Sequence, residues 1–135
     1  MTDLAGLGAL EVAAAVRAGE LTATEVTLDA LRRAEERGPQ VGAFAFLAPE
    51  RALAEAGRLD SRLARGEARD AALLGVPCPI KDLTEVEGLP FEAGSEALAG
   101  NVAVRTDPVA ARLVTAGALV IGKTTTPEFG FPCYT

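Results

Sequence analysis

Apolar positions follow two rhythms along this chain, and they divide it near residue 70. In residues 1–70 the spacing is helical. Ala9 to Ala18 carries Leu10, Ala13, Ala14 and Val16 in partly amphipathic order and stops at Gly19. Thr22 followed by Glu25 has the spacing of a capping box, in which a side-chain acceptor meets the exposed amides of a new helix. Val26, Ala30, Leu31 and Ala34 then form an apolar stripe as far as Arg37, and Gly38-Pro39 predicts its end. Ala43 to Leu47 is a short apolar run bounded by turn residues, which predicts a strand. Pro49 opens a third helix with Leu53, Ala56, Leu59 and Leu63 on one side, ending near Gly66.

Residues 71–135 have a different texture. Gly75, Pro77, Pro79, Gly88, Pro90, Gly94 and Gly100 cut the chain into short pieces, with a strand predicted through Ile80 and Lys81. Asp107-Pro108 predicts a helix start, the aspartate capping and the proline taking the first helical position. That helix should run to Ala116 and end at Gly117. Ala118 to Ile121 then reads as a buried strand followed by Gly122-Lys123-Thr124. Helices and strands in this alternation predict an α/β protein with a largely buried sheet. No repeat, low-complexity tract or interdomain linker interrupts it.

Composition narrows the chemistry. Hydrophobic residues make up 49% and aromatics only 4%. Much of the apolar share is alanine, which favours helices but buries little surface per residue. Net charge is −6, and the arginines are interleaved with glutamates, so no phosphate-tracking surface is expected and direct nucleic-acid binding is not predicted. No apolar run is long enough for a bilayer, and Met1 to Gly8 lacks a basic segment followed by an apolar one, so a cytoplasmic location is the expectation. Cys78 and Cys133 are the only cysteines and are expected to be buried free thiols. There is no histidine. That removes the usual zinc ligand sets and Ser-His-Asp or Cys-His catalysis, so any nucleophilic mechanism needs another base.

Two stretches supply a candidate. One is Gly75-Val76-Pro77-Cys78-Pro79-Ile80-Lys81-Asp82, continuing through Gly88-Leu89-Pro90 and Ala93-Gly94-Ser95. The other is Asp107-Pro108-Val109, Ala116-Gly117-Ala118, and Gly122-Lys123-Thr124-Thr125-Thr126-Pro127-Glu128-Phe129. In order and spacing they resemble the amidase signature family, in which a G-V-P-x-x-[VI]-K-D segment precedes a helix and a G-K-T-x-x-x-E-[FM] segment. Gly19-Glu20-Leu21-Thr22 is similar to the family's turn between its first two helices. Thr125 stands where the family commonly has asparagine, and Pro79 removes a ladder amide just before the lysine, which leaves the length of that strand open.

The resemblance implies an incomplete amidase-signature fold. Residues 1–135 would be the amino-terminal part of a single domain, with helices first and then part of a mixed, largely buried β-sheet covered by helices. It also implies a Ser–cis-Ser–Lys triad acting by acyl transfer on a small carboxamide, without metal or cofactor, in which Lys81 corresponds to the lysine. Chemically, a lysine in a dry, apolar pocket loses hydration of its charged form and can accept a proton. Val76, Pro77 and Ile80 are apolar neighbours of the right kind. Asp82 need not oppose this, because consecutive side chains on a strand point to opposite faces.

The partner serines of the family lie in a Gly-Ser-Ser-rich segment that this sequence does not contain. Ser61 is expected on a solvated helix face, and Ser95 corresponds to a structural turn. Gly122-Lys123-Thr124 mimics the end of a phosphate-binding loop, but the strand-like run before it excludes that assignment. The last residues, Glu128 to Thr135, are apolar and aromatic rather than polar, which reads as a cut. The expected partner is therefore the downstream part of the fold, in the same or a second chain. Phe129, Phe131 and Tyr134 should be left uncovered and able to drive self-association. Two alternatives accompany the amidase reading: the amidase component of a tRNA-dependent amidotransferase, and a non-catalytic α/β interaction module.

Overall fold

A computed structural model describes residues 4–135. Helix α1 (Ala9–Ala18) is followed by α2 (Ala23–Val41), strand β1 (Phe44–Leu47), α3 (Pro49–Ala64), β2 (Pro77–Lys81), α4 (Pro108–Thr115) and β3 (Leu119–Thr124). Single 3₁₀ turns lie at Leu4–Gly6, Glu96–Leu98 and Glu128–Gly130. The three strands form a mixed sheet in the order β1-β3-β2, with β1 antiparallel and β2 parallel to β3. This is the predicted α/β class. Burial is uneven, however. Every residue of β3 but the last is buried, whereas β1 and β2 are partly exposed edges.

The capping box at Thr22 is formed. Thr22 Oγ1 accepts from the Glu25 amide at 3.0 Å, and the Glu25 carboxylate accepts from the Thr22 amide at 2.8 Å. Asp60 of α3 adds a tertiary cap, accepting from the amides of Ala23 at 2.7 Å and Thr24 at 3.1 Å. These bonds satisfy orphan donors of the first turn and tie α3 to α2.

Helix α2 runs past Gly38-Pro39, contrary to the expected stop. Pro39 lacks an amide and forfeits one bond in the last turn, but Gly42 adopts a left-handed conformation with φ 58° and closes the helix. The amides of Gly42 and Ala43 both donate to the Gly38 carbonyl. The predicted stripe of α2 is buried at Val26, Leu31 and Ala34, but the buried faces of α1 and α3 are rotated from the predicted ones. In α1 the core takes Val12, Ala13 and Val16 while Leu10 is 73% exposed, and in α3 it takes Ala52, Ala56 and Leu59, with Leu53 and Leu63 only half-buried.

Three clusters fill the two sides of the sheet. Leu119 packs with α1, α2, α3 and Leu74, and Ile121 packs with Leu31 and Ala52. Val120 faces the other way, with Ile80, Val86, Leu89 and Ala110. The cysteines are both free. Cys78 is half-buried, with burial pushing its thiol up, but Cys133 is exposed, which corrects the expectation of two buried thiols. Cys133 lies in the 131–135 stretch, where Phe131 is 88% and Tyr134 76% exposed, so apolar character there does not translate into burial.

Candidate active site at the carboxyl end of the sheet

β3 carries the feature that organises this region. Its predicted end at Ile121 is extended through Gly122, Lys123 and Thr124. Register with β2 pairs Cys78 with Val120 and then Pro79 with Gly122, so one extra residue is inserted in β3 opposite Pro79. Such a bulge shifts side-chain alternation by one position. Strict alternation would have placed Lys123 with Leu119 and Ile121, against the helices. The extra residue turns Lys123 instead to the side of Val120 and of Ile80, the residue with which Lys123 pairs. Gly122 permits the close approach of β1: a Cβ there would collide with the Phe46 carbonyl oxygen.

Two residues beyond Ile80, Asp82 falls on the same side. Its carboxylate Oδ1 accepts from Lys123 Nζ at 2.7 Å, and both side chains are almost wholly removed from solvent (0% and 4% exposed). Lys123 Nζ also donates to the Pro90 carbonyl at 2.9 Å and lies 5.6 Å from the centre of the Phe91 ring. Asp82 Oδ2 accepts from the Glu92 amide at 3.1 Å. Both charges are therefore paired and hydrogen-bonded, the condition on which a buried ion pair survives desolvation. The pair fastens the loop from Asp82 to Glu92 onto the central strand.

Lys81 stands between Ile80 and Asp82 and so points to the opposite face. It is exposed, and its amine makes no ion pair or hydrogen bond among the described residues. Its backbone is held on both sides: the Asp82 amide donates to the Thr124 carbonyl at 3.1 Å, and the Lys81 carbonyl accepts from Thr84 at 3.0 Å. Pro79 shortens nothing, since β2 continues to Lys81, but the register slips at Cys78/Pro79. The apolar residues expected around the amine pack elsewhere. Val76 joins the helical cluster, Pro77 lines a cavity against α2, and Ile80 enters the cluster on the far side of the sheet.

The two serines are engaged. Ser61 Oγ donates to the Gly57 carbonyl of its own helix at 2.8 Å. Ser95 is buried; its hydroxyl donates to Glu128 Oε1 at 2.6 Å and accepts from the Ala97 amide at 3.3 Å, capping the 3₁₀ turn. A bond from the Phe129 amide to the Ala93 carbonyl, 2.9 Å, joins the same two loops.

Motif reasoning did not anticipate the Asp82–Lys123 pair. The signal was available: a lysine that continues a fully apolar buried strand requires a buried anion.

The family model for Amidase matches residues 25–135. This chain belongs to the amidase signature family. A glutamyl-tRNA(Gln) amidotransferase subunit of Chloroflexus aggregans is 43% identical over 129 residues, 96% of this chain and 26% of that protein. Among solved amidase structures, the native peptide amidase from Stenotrophomonas maltophilia is 31% identical, with a TM-score of 0.80 over 94% of this chain and 26% of the other. A bacterial aryl acylamidase of the amidase signature family is 26% identical, with a TM-score of 0.88 over 93% of this chain and 26% of the other. The chain thus spans about a quarter of the length of the amidase-family relatives it matches. Among the described residues no helix is long and apolar enough to cross a membrane.

Proposed function

We propose that residues 1–135, as the amino-terminal part of a single amidase-signature domain, supply the base of a cytoplasmic Ser–cis-Ser–Lys amide hydrolase, and that Lys81 is that base. The observation carrying this reading is the contrast between the chain's two lysines: Lys123 is committed to Asp82 and Pro90, whereas the Lys81 amine has no ion pair or hydrogen bond among the described residues. In the reaction, Lys81 accepts a proton that originates on the nucleophilic serine. The serine oxygen bonds to the carboxamide carbon, the C–N bond breaks, and the departing amine takes the proton. Water then releases the carboxylate from the acyl-serine. Ser61 and Ser95 are bound elsewhere, so the serines lie in the remainder of the fold. Without that remainder the 135-residue chain is inactive, and its exposed Phe131 and Tyr134 favour self-association.

The test is Lys81→Met in the protein that carries these residues together with the serine-bearing remainder. Loss of a general base lowers kcat by about 10²–10⁴-fold. A loss below tenfold on every carboxamide turned over by the parent would reject Lys81 as the base. A second reading is favoured by the identity to glutamyl-tRNA(Gln) amidotransferase subunits: the site would release ammonia from glutamine for a tRNA-dependent amidotransferase. Faster turnover of glutamine than of simple carboxamides separates it from a free-standing amidase. Activity of either kind excludes a non-catalytic module.

A further inference from the structure

We propose that Lys123 is a positioning residue for Lys81: by holding the Asp82 carboxylate on the inner side of the sheet, it keeps the nearest anion in sequence away from the free amine. The inference rests on reading Lys81 as the base. Its grounds are geometric. Asp82 directly follows Lys81, and a carboxylate beside an amine favours the ammonium form, which cannot accept a proton. Asp82 is drawn to the other face by Lys123 Nζ at 2.7 Å and by the Glu92 amide at 3.1 Å. The bulge opposite Pro79 is what places Lys123 on that face. Removing the Lys123 ammonium would leave a buried carboxylate without its cation, and Lys81, one residue away, is the only other lysine in the chain.

The experiment uses the 135-residue chain and acetic anhydride at one fixed pH, with acetylation of Lys81 followed by peptide mass spectrometry. Amines react through their neutral form, so capture by a carboxylate slows acetylation. Lys123→Met should slow Lys81 about three- to fivefold, the size of effect an exposed ion pair supports. The double variant Lys123→Met/Asp82→Asn lacks the same ammonium but also the freed carboxylate, and should return Lys81 to the parent rate. A purely structural Lys123 would not produce that recovery.

An unchanged Lys81 rate in folded Lys123→Met would overturn the proposal, as would a slow double variant. Should circular dichroism show Lys123→Met to be unfolded, Thr124→Asp decides. Thr124 is the register partner of Lys81, so this variant puts a carboxylate beside Lys81 on its own face with the Asp82–Lys123 pair kept. Slowing of Lys81 there supports the inference, and an unchanged rate rejects it. Acetylation reports only the surroundings of Lys81, so the outcome is independent of whether Lys81 proves catalytic.

Discussion

Two lysines lie on neighbouring strands, one register step apart, and have opposite fates. Lys81 ends edge strand β2 and is exposed, whereas Lys123, on central strand β3, has 0% of its side chain exposed. The difference comes from strand position and one inserted residue. A central strand offers no solvent, so its lysine must find a buried anion or not exist there. An edge strand's last residue can leave its amine unpaired. The family resemblance calls attention to both motifs, but the geometry assigns them different work: Lys123 holds the loop and Lys81 is left available.

The largest expected effect breaks the buried partner. Lys123→Ala leaves the Asp82 carboxylate buried without its counter-ion and should cost about 3–5 kcal/mol, enough to unfold much of a marginal chain. Lys81→Ala, at an exposed position, should stay within about 0.5 kcal/mol of the parent. Urea unfolding followed by circular dichroism compares the two, and similar losses would erase the distinction.

A smaller loss is expected when both charges are replaced. Asp82→Leu/Lys123→Met removes the buried charges together and leaves no uncompensated ion, a replacement that is often near neutral when the volume is kept, although the Glu92 amide and the Pro90 carbonyl lose these partners. The double variant should therefore be more stable than Lys123→Ala. Were it less stable, the pair would be worth more than its desolvation cost, and Lys123 would be a net source of stability.

The smallest effect is a control remote from both lysines. Hydrogen bonds from the Thr22 amide and hydroxyl hold the Glu25 carboxyl below its usual value. A group depressed in the folded state contributes stability that is present above its unfolded value, about 4.3, and lost as pH falls through its lower folded value. Thr22→Ala removes the hydroxyl that caps the Glu25 amide and should cost about 1 kcal/mol at neutral pH, whereas Glu25→Gln removes the titrating carboxyl and should flatten this acid-side loss. Equal slopes for parent and Glu25→Gln on the acid side of about pH 5 would show that the box does not shift Glu25.

Much of this was legible in sequence because the signals are local. Gly19, Thr22 with Glu25, Pro49 and Asp107-Pro108 mark helix ends through caps that involve few residues, and each occurs where the helices begin or stop. Gly38-Pro39 misled, because a proline in the last turn of a helix forfeits only one bond when a glycine three residues on closes the helix. The opposite facing of Lys81 and Asp82 was expected from strand alternation, and the Lys123 ammonium and the Glu92 amide hold the carboxylate there. What escaped was tertiary. The bulge in β3 depends on how β2 and β1 pair with it, and no local pattern in Leu119–Thr124 announces an inserted residue. The partner of Lys123 lies 41 residues away in sequence, in a motif whose neighbouring lysine drew attention first.

The most direct measurement of the central contrast needs no variant. Acetic anhydride is added to the folded chain, and modification of the two lysines is followed by peptide mass spectrometry before and after urea unfolding. The structure predicts that Lys81 is modified at the rate of a free exposed amine while Lys123 is protected until the chain unfolds. Modification of both at comparable rates in the folded chain would contradict the buried Asp82–Lys123 pair, and protection of Lys81 would contradict its free amine.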